Sequence, residues 1–419
     1  MKKIALLLSV VTLLFTSSCN RGPKMEIELE VSTDEMVLAL ANYTQDSLFN
    51  QAIDEAKKLK MEKPQSDFLS LFEESIYKLD PDVQLAPYFG TQLRDRIRLT
   101  DDNNTVMSVL RSEATDAYDY TCQILLKRME KFGSVRPKLE KTGNGRIKLK
   151  LSGVKEPDRI RYLLQQRGEL LFWLGAKNKD AFQYLDDVNK YIASTNDDYN
   201  TLNNALDSLL SVIVSDSTQL QNEQFQAEYE KNNPLFAKLY PNVNPENGQF
   251  SDGCMVGYAT PKDRAAIDEM LAKARQNNIL PPAIKFLWGA KPSRTNDLYE
   301  LYAIQVTTRD GSPLLDGGVV ADARQCFNNT TGNEIAITMN SEGAREWKRI
   351  TGTNVGEFIA IVLDDVVFSA PRICGEIEGG RSSITGDFTE EEAKDIANLF
   401  KSGKLPLPVK IVKETIFEQ

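Results

Sequence analysis

Over residues 25–31 the apolar side chains Met25, Ile27, Leu29 and Val31 alternate with Glu26, Glu28 and Glu30, the period-2 signature of a strand with one buried face. The spacing then turns helical over 34–100, as in Met36 and Leu40 or Phe68, Leu71, Phe72 and Ile76, with breaks at Pro64, Pro81 and Pro87. A longer helix is predicted over about 105–131, closed by Phe132-Gly133 with glycine in the usual C-terminal position. Extended chain resumes at 135–139 and turns through Gly143-Asn144-Gly145. It returns with Ile147, Leu149 and Leu151 alternating against Arg146, Lys148 and Lys150, a hairpin with one wet face. Pro157 opens a helix carrying Ile160, Leu163 and Leu164, Gly168 closes it, and 170–174 is an apolar run suited to a buried strand. The order βαββαβ is that of a ferredoxin-like domain, with the helices of 34–100 inserted in its first crossover.

Beyond it, residues 194–233 are rich in Asn, Asp, Gln and Ser, with helix-compatible patches such as Leu206, Leu209, Leu210 and Ile213. A second domain is expected from Pro245. Thr260, Pro261 and Asp263 form a helix start before Ile267, Met270, Leu271 and Ala274, and Pro281-Pro282 ends it. Strands are predicted at 284–288 and 298–307, a short helix at 341–350, and a tight hairpin turning through Asp364-Asp365. Thr389 and Glu392 make a capping box for a helix with Ala393, Ile396, Ala397 and Phe400 on its core face, and a strand at 408–412 closes the chain. The predicted class is therefore α+β. A ferredoxin-like base spans 25–175 with a helical insert at 34–100, a polar helical linker spans 176–244, and a second α+β domain spans 245–412 with a returning C-terminal strand.

With 41% hydrophobic and 26% charged residues, the 419-residue chain suits a globular protein of two or three domains. A net charge of -10 without a long basic run excludes nucleic acid as a partner, because neutralising phosphates takes a concentrated cationic surface. The absence of histidine removes Ser-His-Asp and Cys-His catalysis, His-ligated zinc and the usual near-neutral proton shuttle. At the start, Lys2-Lys3, an apolar core over 4–15 and Thr16-Ser17-Ser18-Cys19 resemble a bacterial lipoprotein signal, although Thr16 stands where leucine is usual. Residues 1–19 are thus expected to be a signal ending in a lipidated Cys19, and lipid is the only membrane anchor the sequence offers. Four thiols remain in the body, at Cys122, Cys254, Cys326 and Cys374. They allow three pairings, and their spacing selects none.

The stretch from Gly356-Glu357-Phe358 through Val362-Leu363-Asp364-Asp365-Val366 to Ser369-Ala370-Pro371 resembles a signature of the SecD family of bacterial export subunits. Gly379-Gly380, Ile384-Thr385-Gly386, Phe388-Thr389-Glu390 and Leu399-Phe400-Lys401-Ser402-Gly403-Lys404-Leu405-Pro406 follow in the family's order. Val320-Ala321-Asp322-Ala323-Arg324, Asn340-Ser341-Glu342-Gly343-Ala344, Phe132-Gly133, Ser152 to Arg159 and Leu171-Phe172-Trp173 also fit. The resemblance covers roughly 25–415 and implies the family's first periplasmic domain, a ferredoxin-like base plus a mobile head that holds emerging polypeptide. Asp365 departs from the family's glycine, and Ser152 from its proline. Family members carry transmembrane helices that couple to the proton gradient, and the chain, ending at Gln419, is expected not to use that gradient by itself.

Asp364-Asp365 reads as a turn rather than a catalytic or metal pair, Glu390-Glu391-Glu392 as the acidic first turn of a helix, and Gly379-Gly380 as a turn without a following helix. No catalytic residue, metal or cofactor is expected. Phe286, Trp288, Tyr299 and Tyr302 lie on predicted strands, where core packing and a groove for extended polypeptide are the two readings. The functional expectation is a non-catalytic, periplasm-facing envelope lipoprotein that assists Sec-dependent export by binding unfolded or emerging polypeptide, with Sec translocon subunits as further partners. The alternative is an envelope binding or assembly lipoprotein with the same fold and a different partner. Asn20 leans toward the outer membrane, a Sec partner toward the inner one, and the sequence does not choose.

Overall fold

The computed structural model describes residues 23–132, 135–197, 228–244, 246–293 and 297–417. Cys19, Gly133, Pro245 and the Leu206 to Ile213 part of the expected linker lie outside the described residues. In chain order the elements are β1 (Lys24–Val31), α1 (Asp34–Leu40), α2 (Ser47–Glu62), α3 (Phe68–Leu79), α4 (Ala86–Phe89), α5 (Asn103–Lys131), β2 (Arg136–Gly143), β3 (Arg146–Ser152), α6 (Pro157–Gln165), β4 (Leu170–Gly175) and α7 (Asn178–Asp197). After the undescribed stretch come β5 (Leu239–Pro241), β6 (Met255–Ala259), α8 (Arg264–Gln276), β7 (Ile284–Pro292), β8 (Tyr299–Gln305), β9 (Leu315–Asp316), β10 (Val320–Asn328) and β11 (Gly332–Met339). The last are α9 (Ser341–Thr353), β12 (Ile359–Leu363), β13 (Val366–Ser369), β14 (Arg381–Phe388), α10 (Glu390–Ser402) and β15 (Val409–Phe417). The mixture is α+β.

A first, antiparallel sheet has the order β15-β1-β3-β2. Period-2 alternation sends Met25, Ile27, Leu29, Ile147, Leu149 and Leu151 to one face, where they pack under α5 and α6 at no more than 1% exposure. The charged partners of those residues stay on the other face. The expected fourth strand at 170–174 is not in this sheet. The free side of β1 is filled instead by β15, paired from Lys24↔Phe417 to Val31↔Val409. The 170–175 strand is apolar toward both faces and pairs with β12 from Leu174↔Ile359 to Leu170↔Leu363, in a larger sheet.

Helices α1 to α4 and the first turns of α5 enclose a separate core in which Phe49 lies against Phe72 and Phe89. The 29-residue α5 therefore serves two cores, with Val106, Met107 and Leu110 in this one and Ile124, Leu125 and Met129 under the first sheet. Asp46, Asp67 and Asp102 cap α2, α3 and α5 by accepting the amides of Phe49, Ser70 and Thr105.

The larger sheet runs β5-β6-β8-β7-β13-β12-β4-β9 and also pairs β8 with β4, so that β4, β8, β7, β13 and β12 close into a ring. Trp173, Ile304, Ala360, Val362 and Val367 fill its interior. The hairpin between β12 and β13 turns through Asp364 and Asp365 at φ +50° and +63°, the left-handed pair of a two-residue turn that Asp tolerates well. A third sheet, β10-β11-β14, packs with α9 and α10 onto the core that runs under the first sheet. The capping box of α10 is present, with Glu392 N–H donating to Thr389 Oγ1 and Thr389 N–H to the Glu392 carboxylate. Around 260 the structure differs from expectation: Thr260 and Asp263 hydrogen-bond each other, and α8 begins at Arg264 without a side-chain cap. Among the described residues no helix is long and apolar enough to cross a membrane.

Candidate functional site

The four aromatics do not line one surface. Phe286, Trp288 and Tyr299 face α8, whereas Tyr302 points into the ring interior with Leu287. Trp288 is buried and its indole N–H donates to Asp268 at 2.7 Å, while the Arg264 guanidinium lies 5.1 Å from the Trp288 ring and 4.1 Å from that of Tyr299. Tyr302 donates to Glu300, and burial followed by that carboxylate pushes its phenol far above the ordinary range. Trp288, Tyr299 and Tyr302 are thus occupied by packing and hydrogen bonds.

Phe286 is different, because it lines a groove of about 840 Å³. Strand β7 pairs with β8 along Ile284 to Trp288, but on its other side the pairing with β13 is the single position Gly289↔Val367. The groove opens along that unpaired edge. Its lining includes Phe286 from the α8 side and Lys285 and Leu287 from the ring side, residues of opposite faces that meet only at a strand edge. Leu271, Leu280, Pro281 and Val306 complete an apolar wall, and Arg275, Lys285 and Arg309 add cations. Backbone directions follow from two hydrogen bonds. Val306 N–H donates to Ala283 C=O from the β8 side, and Arg275 donates to Ile284 C=O at 2.6 Å from the other. Alternation then turns the N–H and C=O of Phe286 to the open side, where an extended chain can meet them.

The carboxylates singled out by the sequence have structural work. Asp364 accepts the amides of Gly168 at 3.0 Å and Glu169 at 2.7 Å, Glu390 pairs with Lys394 and Glu392 with Lys291. No group of three or more His, Cys, Asp or Glu suited to a metal occurs among the described residues. The four body cysteines are free thiols, with Cys122 and Cys254 buried and Cys374 exposed. Burial pushes the Cys254 thiol up to about 12 and raises that of Cys122 as well. Alkylation of the native protein near neutral pH should therefore label Cys374 first and leave Cys122 and Cys254 unlabelled until denaturant is added. Peptide mass mapping checks this, and early modification of Cys254 would contradict the packing described.

Sequence reasoning missed Arg128. It has no exposed surface, and its guanidinium donates to the carbonyls of Leu163 (3.0 Å), Gln166, Arg167 (2.9 Å) and Gly403 (3.0 Å) and to Ser402 Oγ (3.2 Å). Burial lowers its pKa to about 10. Residues 166–169 and 403–408 are the two connections between the part made of the first sheet with α1 to α6 and the rest of the described chain, and Leu405 N–H ties them by donating to Arg167 C=O. The available signal was an arginine on the apolar stripe formed by Ile124, Leu125 and Met129.

Comparison with known proteins bears on what this architecture is. The model of "SecDF, P1 head subdomain" matches residues 298–407. Protein translocase subunit SecD of Rhodothermus marinus is 33% identical over 399 residues, 93% of this chain and 60% of that protein. SecD of Syntrophobacter fumaroxidans is 26% identical over 368 residues, 79% and 63% of the respective chains. The chain thus spans about three fifths of the length of these relatives. A crystal structure of SecDF in its super-membrane-facing form aligns at 23% identity over 72% of this chain and 28% of that one, with a TM-score of 0.39, too low to bear on the arrangement of parts. The chain is thus similar to SecD over most of its length, and residues 298–407 match the P1 head subdomain of SecDF.

Proposed function

We propose that this chain assists protein translocation without catalysis, by holding unfolded or emerging polypeptide in the groove beside β7. The observation that carries the reading is the relation to SecD sustained over 93% of the chain, since it reaches well beyond the head subdomain. The groove supports it, because an apolar wall next to an unpaired strand edge accepts extended chains by main-chain hydrogen bonds and alternate side chains, with little demand on sequence. In this reading the sheet β15-β1-β3-β2 is a ferredoxin-like base and α1 to α4 are an insertion in its first crossover, whereas α7 and β5, expected within a polar linker over 176–244, pack into the core with α8, β7 and β8 and belong with the head. Cys19 carries a lipid that holds the protein to the periplasmic side of an envelope membrane, and Sec translocon subunits are the second class of partner.

The test is a photo-crosslinking amino acid at position 286 of the intact protein in its own membranes, with products identified by mass. Exported precursors are expected at position 286 and not at Leu79, an exposed residue of the helical insertion. Recovery of unrelated envelope proteins alone would sink the export role and leave the fold assignment standing.

A further inference from the structure

The uncovered face of the sheet β15-β1-β3-β2 is basic on an acidic protein. Pairing places Lys24, Glu26, Glu28 and Glu30 of β1 on the same face as Arg146, Lys148 and Lys150 of β3, Arg136, Lys138 and Glu140 of β2 and Lys410 and Lys413 of β15. That is eight cations against four carboxylates, a net +4, on a chain of net -10. The carboxylates are already met within the face or by a neighbour: Glu26 by Lys148 at 2.8 Å, Glu28 by Arg146 at 2.9 Å, Glu140 by Lys150 at 2.7 Å and Glu30 by Lys60 of α2 at 3.3 Å. Lys24, Arg136, Lys138, Lys410 and Lys413 are left exposed, so the outward charge is carried by cations.

Apolar side chains stand at both ends. Phe417, paired with Lys24, points to this face and is 45% exposed, and at the Glu30 end Met61 is 82% exposed beside the cavity it shares with Glu30 and Lys410. A basic surface with isolated apolar residues at its margins is the pattern of a protein face lying on anionic lipid, with cations at the phosphates and apolar tips in the headgroup boundary. We propose that this face docks on an anionic membrane surface and orients the molecule on it, a contact separate from the groove and from any acyl chain.

The experiment uses the full chain with Cys19→Ser, so that no acyl group contributes, in co-sedimentation with vesicles of phosphatidylethanolamine containing one third phosphatidylglycerol, and with pure phosphatidylcholine vesicles. Binding to the anionic vesicles alone is expected, and it should vanish at 0.5 M salt as screening shortens the reach of the charges. Each cation near such a surface contributes about 1 kcal/mol, or about fivefold in affinity, so Lys138→Gln with Lys413→Gln should weaken binding by about 25-fold. Both side chains are exposed, and an unchanged circular dichroism melt confirms that the fold is kept. Met61→Ser with Phe417→Ser should weaken binding while preserving its salt dependence. Equal sedimentation with both vesicle types, or an unchanged affinity for the glutamine pair, overturns the proposal. Binding to soluble polyglutamate but not to anionic vesicles overturns it too, and assigns the face to an acidic protein.

Discussion

Replacement of Arg128 by methionine is expected to cost about 3–5 kcal/mol of folding stability, although the residue touches neither groove nor surface. The side chain is fully buried and its guanidinium is the donor to four carbonyls and one hydroxyl. Methionine fills part of the volume but withdraws the donor from all five acceptors. Arg167 C=O keeps the amide of Leu405, while the buried carbonyl of Leu163 loses its guanidinium partner, at about 1–3 kcal/mol for a buried group left unmet. Lysine should not rescue, because three donors on a point-like head cannot reproduce the planar fork that spans both connections. Gly168→Ala should act through the same contact, since its Cβ would lie 2.5 Å from Arg128 Nη2 and its φ is +77°. Urea denaturation followed by far-UV circular dichroism reads all three. A wild-type midpoint for Arg128→Lys would show that the connections are held by Leu405 and Asp364 without it.

The elements that the sequence disclosed are those whose determinants are local. Alternation along 25–31 and 146–151 specified strands and their wet face, Thr389 and Glu392 a helix start, and Asp364-Asp365 a turn. Strand partnership was not disclosed in the same way. The run at 170–174 completes βαββαβ in sequence, yet a strand apolar on both faces fits any buried sheet, and the strand that takes the edge of β1 lies more than two hundred residues later. For the aromatics, part of the answer was legible. Tyr299 and Tyr302 stand three apart on one strand and so must point to opposite faces, while Phe286 and Trp288 stand two apart and share one. That Phe286, of these four, lines the groove depends on how far β13 runs beside β7, and periodicity carries no information about that.

Trp347→Ala is the second large effect, again about 3–5 kcal/mol, and here its location matters as much as its size. Trp347 on α9 is 3% exposed, lies edge-on to Phe172 of β4 with ring centroids 5.1 Å apart, and donates its indole N–H to Ser382 Oγ at 2.9 Å. It therefore joins α9, the ring strand β4 and the edge strand β14, and alanine opens a cavity where the three meet. Trp347→Phe keeps most of the apolar contact and should lose about 1 kcal/mol, that of the hydrogen bond. Ser382→Ala strands the buried N–H instead and should cost about 1–3 kcal/mol. Because α1 to α4 have a core of their own, the damage should stay local. Hydrogen exchange of Trp347→Ala should then show protection falling in β10, β11, β14 and α9 while α2 and α3 keep theirs. Loss of protection in α2 and α3 to the same degree would mean that the 29-residue α5, which enters both cores, transmits the defect and that the two unfold as one unit.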